Sequence, residues 1–139
     1  MKHISLTLIV CLFACCFGCK SNLPPDLPKL YPCKVTITLD GVPTEGVSVT
    51  FSPSDGAKWP AGGTTEPDGT AMLNTNGQYP GVAAGQYKVI LYKDSVEVIG
   101  ETVKESLLIG KDYTSARTTP LDYTMEAQAS EVTFDAKSK

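Results

Sequence analysis

Apolar and polar side chains alternate one by one along much of the chain from Cys33 onward. Every second residue is apolar in Cys33–Leu39 and again in Val47–Phe51. This period of two is typical of a strand with one buried face. Asp40-Gly41 and Pro67-Asp68-Gly69 interrupt the alternation with residues that favour tight turns. The pattern therefore predicts an all-β sandwich of about seven strands over residues 33–139.

Later segments extend the same pattern. Residues 86–92 are predicted to form a strand with Tyr87, Val89 and Leu91 facing inward. Residues 121–126 and 131–137 are predicted to pair as a last hairpin.

One stretch, the insertion 94–119, departs from the period of two. Val96, Ile99, Val103 and Leu107 follow one another at intervals of three or four residues with charged residues between them. That spacing predicts a short amphipathic helix, or a loop that covers a sheet edge or carries specificity.

The first eighteen residues have the pattern of a secretory signal. Met1-Lys2-His3 is a positive start, and the segment from Ile4 to Gly18 is almost entirely apolar. Fifteen apolar residues are too few to span a bilayer, which needs roughly twenty. Residues 1–18 are therefore predicted to be a signal peptide that directs export.

Cysteine placement adds an anchor to this prediction. Four of the five cysteines crowd into residues 11–19, where there is no folded framework for disulfides. The segment Phe17-Gly18-Cys19-Lys20-Ser21 resembles a bacterial lipoprotein signal, with Leu12-Phe13-Ala14-Cys15 as a looser alternative. The resemblance implies cleavage before Cys19, or alternatively Cys15, and a covalent diacylglycerol and N-acyl lipid on that cysteine. The expected location is the cell envelope, extracytoplasmic, in an outer membrane if the cell has one.

The residues that follow form the tether, residues 19–32. Four prolines in this segment favour an extended polyproline II chain. The thirteen residues from Lys20 to Pro32, at roughly 3.1 Å each, span up to about 40 Å, which would hold the domain off the bilayer.

Charge and composition exclude several functional classes. Without the signal peptide the chain has eleven basic and fifteen acidic side chains, a formal charge of −4, which disfavours nucleic acid. The single histidine, His3, lies in the signal peptide, so no imidazole remains for catalysis or metal binding. Phosphate-binding loops and serine elbows are also missing from the sequence. No catalytic residue, no metal ligand and no cofactor other than the covalent lipid is predicted.

The turn motifs carry a resemblance to a known family. Lys34 to Val47, Pro67-Asp68-Gly69-Thr70 and Ala84 to Val89 resemble the carboxypeptidase regulatory-like domain family. The resemblance implies a Greek-key sandwich of the transthyretin-like or immunoglobulin-like type. The segment from Trp59 to Thr65 and the segment Thr118-Thr119-Pro120-Leu121 also resemble small lipoproteins of planctomycete-type bacteria. These resemblances imply a fold and no activity.

Trp59 is the main candidate for ligand binding. It lies in a loop rich in glycine and proline, where an indole either stacks on a sugar or caps the end of the core. Tyr79, Tyr92 and Tyr113 either extend an aromatic platform or pack across strands. Asp55, Glu66 and Asp68 are expected to serve turns, and Cys33 to be a small buried apolar residue.

The chain is therefore predicted to be a non-catalytic, lipid-anchored module with an envelope-structural or protein-interaction role. The alternative is a carbohydrate-binding module that uses Trp59. The expected partners are the membrane, through the lipid, and an envelope protein or glycan.

Overall fold

The structure is a computed structural model that describes residues 22–139. These residues form short strands and one 3-10 turn at Lys111–Thr114. The strands are β1 (Leu30–Tyr31), β2 (Cys33–Leu39), β3 (Val42–Pro43), β4 (Ser48–Pro53), β5 (Ala61–Thr64), β6 (Thr70–Met72), β7 (Asn74–Thr75), β8 (Tyr79–Pro80), β9 (Val82–Ala83), β10 (Gly85–Tyr92), β11 (Asp94–Ile99), β12 (Thr102–Leu107), β13 (Asp122–Met125) and β14 (Ser130–Ala136).

Two sheets carry the fold, and the all-β sandwich is confirmed. The larger has the order β13-β10-β4-β5-β7-β8 with antiparallel neighbours. In the smaller, β2 pairs with β14 in parallel and with β3 and β6 antiparallel. The described strands outnumber the seven expected because several pair only two residues.

The core forms between the two sheets from the inward positions of the alternating runs. In β2 the buried residues are Cys33, Val35 and Ile37, as the period of two predicts. Tyr87, Val89 and Leu91 of β10 are buried opposite them. The complete buried cluster is Cys33, Val35, Ile37, Val47, Val49, Phe51, Ala61, Ala71, Leu73, Val82, Tyr87, Val89, Leu91, Ile109, Met125, Phe134 and Ala136.

An aromatic group links the sheets at the centre of this core. The ring of Phe51, on β4, lies 5.6 Å from Tyr87, 5.4 Å from Tyr123 and 6.2 Å from Phe134. Phe134 belongs to β14 in the smaller sheet, so the ring of Phe51 packs across the sandwich. Such tilted and edge-to-face pairs stabilise a core beyond the area they bury.

The predicted last hairpin is wrong. Residues 122–125 pair with β10 in the larger sheet, whereas residues 130–136 pair in parallel with β2 in the smaller sheet. The segment between them therefore crosses from one sheet to the other, and β14 forms one edge of the smaller sheet.

The amphipathic helix predicted within 94–119 is also wrong. Strands β11 and β12 pair in register from Asp94↔Leu107 to Ile99↔Thr102, and Gly100 has φ +64° in the turn between them. Within the described part of the chain this hairpin is a separate two-stranded sheet, so it does not cover an edge of the sandwich by pairing. The only helical residues of the insertion are those of the 3-10 turn.

The described part of the tether does not stay extended. Leu27 N donates a hydrogen bond to Pro24 O at 3.1 Å, which closes a turn, and Leu30 and Tyr31 then pair with Ala83 and Val82. Ordered pairing therefore begins before Cys33.

The predictions for the signal peptide, Cys19 and Cys15 lie outside the described residues. From residue 22 onward, no helix is both long and apolar enough to cross a membrane.

Candidate functional site

Strand β10 defines two ends of the sandwich. It begins at Gly85, beside the cavity lined by Asp26 and Pro28 of the tether, and it ends at Tyr92, just before the β11–β12 hairpin. Eight residues of strand cover roughly 25 Å. The tether and the hairpin therefore lie at opposite ends, here called the tether end and the hairpin end.

Trp59 lies at the tether end, in the loop between β4 and β5. The half-buried Trp59 lines a cavity of about 240 Å³, here called the tryptophan pocket, together with Asp26, Asp55, Gln86 and the ring of Tyr87. The indole face can stack on an apolar ring of a ligand. At the edge of that ring the two carboxylates can accept hydrogen bonds, and the amide can donate or accept them.

Several polar groups at this pocket are already engaged. Lys58 forms an ion pair with Asp26, and its Nζ lies 5.5 Å from the centroid of the Trp59 ring. Tyr87 Oη donates a hydrogen bond to Ala83 O at 2.8 Å, and burial raises the pKa of Tyr87. The phenol is therefore neutral and fixed, while the amide of Gln86 is exposed. The pocket therefore presents an indole face, the exposed amide of Gln86 and the exposed carboxylate of Asp55 to a polar ligand.

Tyr79 lies in a neighbouring groove. That groove, about 440 Å³, is formed mainly by the tether residues Leu23, Pro24, Leu27 and Leu30 against Tyr79. It adjoins the tryptophan pocket because Pro28 lines both. The groove is largely apolar, and Tyr79 lines it together with the tether residues.

The other two tyrosines are not part of this site. Tyr92, 47% exposed, ends β10 at the hairpin end. Tyr113 lies on the 3-10 turn, where its ring packs against the core and close to Gly110. The four aromatic residues proposed from the sequence therefore do not form one platform.

Cys33 is buried in β2, as expected. Burial disfavours the thiolate and raises the pKa of Cys33 to about 11. A neutral thiol that is shielded from solvent is a poor nucleophile at neutral pH.

Three aspartates with shifted pKa values do not resemble general acids. Asp40, Asp68 and Asp135 have pKa values below the usual range because hydrogen bonds from Ser138, Thr70 and Lys137, respectively, favour their charged forms. A general acid needs the opposite shift. Within residues 22–139 there is no group of three or more His, Cys, Asp or Glu side chains that could hold a metal ion.

Asp68 and Asp55 have the turn roles expected of them. Asp68 Oδ1 accepts hydrogen bonds from Thr70 N at 3.0 Å and Thr70 Oγ1 at 2.7 Å. Asp55 Oδ1 accepts one from Ala57 N at 3.0 Å.

The hairpin carries a surface that the sequence interpretation missed. Residues opposite each other in an antiparallel pair share a face, so Val98 and Val103 lie together, with Val96 and Glu105 beside them. The three valines, called the valine face below, are 56% (Val96), 70% (Val98) and 59% (Val103) exposed. The opposite face carries mostly polar residues. The alternation of apolar and polar residues within each of β11 and β12 could have predicted this face. It was overlooked because the apolar residues of the two strands together also fit a helical spacing across the turn.

Comparisons with known proteins add a fold likeness. No protein-family model matches the chain, and no curated protein matches it. One similar solved structure is the major pilin subunit of Bacillus cereus, with 12% identity and a TM-score of 0.50 over 79% of this chain and 30% of that chain. Another is a candidate adhesin from Bacteroides ovatus, with 17% identity and a TM-score of 0.44 over 79% of this chain and 45% of that chain. The chain thus spans less than half the length of either, and at 12% identity the likeness to the pilin subunit concerns the sandwich fold alone.

Proposed function

We propose that this chain is a non-catalytic module, anchored by lipid on the outer side of a bacterial membrane, that makes protein contacts in the cell envelope. The anchor is the acylated Cys19, in an outer membrane if the cell has one. The resemblance to carboxypeptidase regulatory-like domains supports a module of this kind, because that resemblance rests on turns and core positions and brings no catalytic residue.

The observation that carries this proposal is the valine face. Folding has buried the other alternating runs, whereas Val96, Val98 and Val103 stay in solvent at the hairpin end. Apolar side chains grouped on one exposed face indicate a contact surface.

The arrangement of polar groups supports binding over turnover. The buried polar residues of the described chain are Thr65, Thr75 and Thr119, and each Oγ1 donates a hydrogen bond to a backbone carbonyl. No buried side-chain nitrogen or oxygen of residues 22–139 lacks a hydrogen-bond partner. These groups serve the fold, and none is positioned to act on a substrate.

The anchor is tested by metabolic labelling. Cells that produce the protein are grown with an alkynyl fatty acid, which should label the wild type and not Cys19→Ala. Labelling that persists in Cys19→Ala and disappears in Cys15→Ala moves the site to Cys15. A wild type that is unlabelled and released in soluble form contradicts the lipid anchor.

The contact role is tested separately. An amine-reactive crosslinker applied to intact cells should join surface lysines of the protein to neighbouring envelope proteins. If the purified full chain instead hydrolyses an ester, peptide or glycoside, and one Asp or Glu substitution abolishes the rate, the non-catalytic proposal is wrong.

The second candidate function is glycan binding at the tryptophan pocket. The specific observation in its favour is that Trp59 shares a cavity with Asp55 and Gln86, whose side chains are exposed and able to hydrogen-bond to hydroxyl groups. The pocket lies at the tether end, so a bound glycan would lie on the side of the domain that faces the anchor.

Fluorescence distinguishes the two candidates. Trp59 is the single tryptophan of the chain, so its emission reports this pocket alone. Titration of the full chain in detergent with cell-wall oligosaccharides should leave the emission unchanged if Trp59 only caps the core. A saturable shift that is lost in Gln86→Ala would establish glycan binding.

A further inference from the structure

The valine face lies on a hairpin with an acidic charge. Residues 94–107 carry four carboxylates, Asp94, Glu97, Glu101 and Glu105, and one ammonium group, Lys104, for a formal charge of −3. Asp94 and Glu105 share the face of the valines. The exposed apolar surface is therefore flanked by negative charge.

The opposite face of the hairpin differs in both respects. It contains Ser95 opposite Ser106 and Glu97 opposite Lys104, so its charges balance. Its single large apolar residue is Ile99, which is 63% exposed and lies next to the turn. The valine face is thus the candidate contact surface, and the opposite face of the same hairpin is a matched control for it.

The hairpin is held at its base only. Leu107 packs against the core, and Leu108 N donates a hydrogen bond to Lys93 O at 2.9 Å. Beyond that point β11 and β12 pair with each other, and no other described strand pairs with them. A two-stranded hairpin is marginally stable in water unless its apolar face packs against something.

We propose that the valine face docks on another envelope protein whose contact surface has an apolar centre flanked by lysine or arginine. This inference rests on the proposed contact function and names the surface and the partner's chemistry. The apolar centre covers Val96, Val98 and Val103, and the basic groups lie against Glu105 and Asp94. Charge of opposite sign at the rim steers association and fixes register.

Charge argues against two other occupants. A second copy of this chain would bring Glu105 and Asp94 against the same carboxylates, and like charges across a contact are unfavourable. An anionic membrane surface would repel a hairpin of charge −3. The hairpin also lies at the end of the sandwich opposite the tether.

The test uses the full chain in intact cells that produce it. A diazirine amino acid replaces Val98 in one variant and Ile99 in the other, which places the same reactive group on the two faces at adjacent positions. A carbene inserts only into atoms that it touches, so we expect about fivefold more protein adduct from position 98 than from position 99. Mass spectrometry of the adduct should place the crosslink in a partner segment that has apolar residues beside lysine or arginine.

Matched substitutions test the chemistry of the face. Glu105→Gln and Val103→Thr should each lower the adduct from position 98 by about threefold or more, because they remove rim charge and apolar area. Glu97→Gln, on the opposite face, should not lower it. Added salt should lower the adduct in the wild type and have less effect in Glu105→Gln. Unchanged hydrogen-exchange protection of the β11–β12 backbone amides in each variant shows that the hairpin has not simply melted.

Other outcomes overturn the proposal. These are equal adducts from the two faces, an adduct with lipid or with a second copy of this chain, or a partner segment without basic residues. If position 98 yields no adduct while the amine-reactive reagent still recovers neighbours, the valine face is not the contact surface and the contact function stands. If neither reagent recovers a neighbour, both proposals fail.

Discussion

Gly69 is the position at which a single methyl group should test the fold most sharply. It ends the Pro67-Asp68-Gly69 turn with φ +79°, a conformation that side chains with a Cβ rarely adopt. Its backbone also lies directly against β2, because Ile37 N donates a hydrogen bond to Gly69 O at 2.8 Å. Gly69→Ala therefore adds both strain and a steric clash.

Gly77 provides a control that separates these two effects. It has φ +70°, and a Cβ built there has no neighbour within 4 Å. Alanine in the left-handed region destabilises the folded state by about 1–2 kcal/mol. Alanine also lowers the conformational entropy of the unfolded chain, which stabilises the folded state by about 0.4–1 kcal/mol. Gly77→Ala should therefore destabilise the domain by about 1 kcal/mol.

Gly69→Ala should destabilise the domain more than Gly77→Ala, because the added Cβ would clash with neighbouring atoms. It would lie 2.9 Å from Pro43 Cβ, 2.9 Å from Thr44 N and 3.0 Å from Ile37 O. Relief requires the turn to move away from β2, which weakens the Ile37 N hydrogen bond and adds overpacking strain of about 1–3 kcal/mol. With the backbone strain, the total is about 3–4 kcal/mol.

Thermal unfolding of the two variants, followed by far-ultraviolet circular dichroism, measures the difference. For a domain of this size 1 kcal/mol lowers the midpoint by about 4 °C, so Gly69→Ala should unfold roughly 10 °C below Gly77→Ala. Equal midpoints would show that the turn does not press on β2 as described. A midpoint for Gly77→Ala as low as that expected for Gly69→Ala would show that backbone strain alone accounts for the loss.

Three further predictions concern the core, the C-terminal strand and the buried thiol. Phe51→Ala should lower the free energy of unfolding by about 3–5 kcal/mol, whereas Val98→Thr on the exposed hairpin should change it by less than about 0.5 kcal/mol in chemical denaturation. Asp135 accepts hydrogen bonds from Lys137, Thr38 and Gly41, which lower its pKa from 3.8 to about 2. Its stabilisation is therefore complete above about pH 4 and is lost as the pH falls from about 4 to about 2, so Asp135→Asn should flatten the acid limb of a midpoint-versus-pH curve. Cys33 should resist iodoacetamide at pH 8 in the native protein and react once the chain is denatured, and rapid native labelling mapped to Cys33 by mass spectrometry would contradict its burial.

The strands of the sandwich could be predicted because the alternation of buried and exposed side chains along a strand depends only on the local sequence. Cys33, Val35 and Ile37 are buried because every second residue of a strand faces the same way. The turn at Pro67-Asp68-Gly69 was equally local, since its residue types fix its backbone conformation.

The hairpin was missed because two competing periods fit the same residues. Val96, Ile99, Val103 and Leu107 fit a helix only if Gly100 is counted as a helical residue. When the chain is divided at Gly100, Val96 and Val98 alternate on one side, and Val103 and Leu107 fit a period of two on the other. Glycine readily adopts the positive φ that the turn needs, so the division is favoured.

The partners of β13 and β14 depend on the whole sandwich. Their sequences predict two strands and a short connection, which is typical of a hairpin. In the structure the inward side of β14 places Phe134 and Ala136 in the core, and the strand pairs in parallel with β2 at the edge of the smaller sheet. Periodicity identifies a strand but does not specify its neighbour.

The site residues were unpredictable for a related reason. Trp59 and Asp26 are far apart in sequence, and they share a pocket only because the tether turns back at Pro24 and pairs with β9 beyond it. The sequence analysis predicted an extended spacer for the tether, so no tether residue was expected to line a pocket of the domain. The docked tether instead forms one wall of the tryptophan pocket.

The two ends of the sandwich have different proposed roles. The tether end receives the chain that leads toward the proposed anchor, and its pocket is walled by that chain. The β11–β12 hairpin leaves the sandwich where β10 ends, roughly 25 Å of strand from the tether end. The valine face therefore belongs to the end of the domain opposite the point where the chain enters. A surface for contact with the proposed anchoring membrane is expected at the tether end, so the position of the valine face favours the proposed contact with another envelope protein.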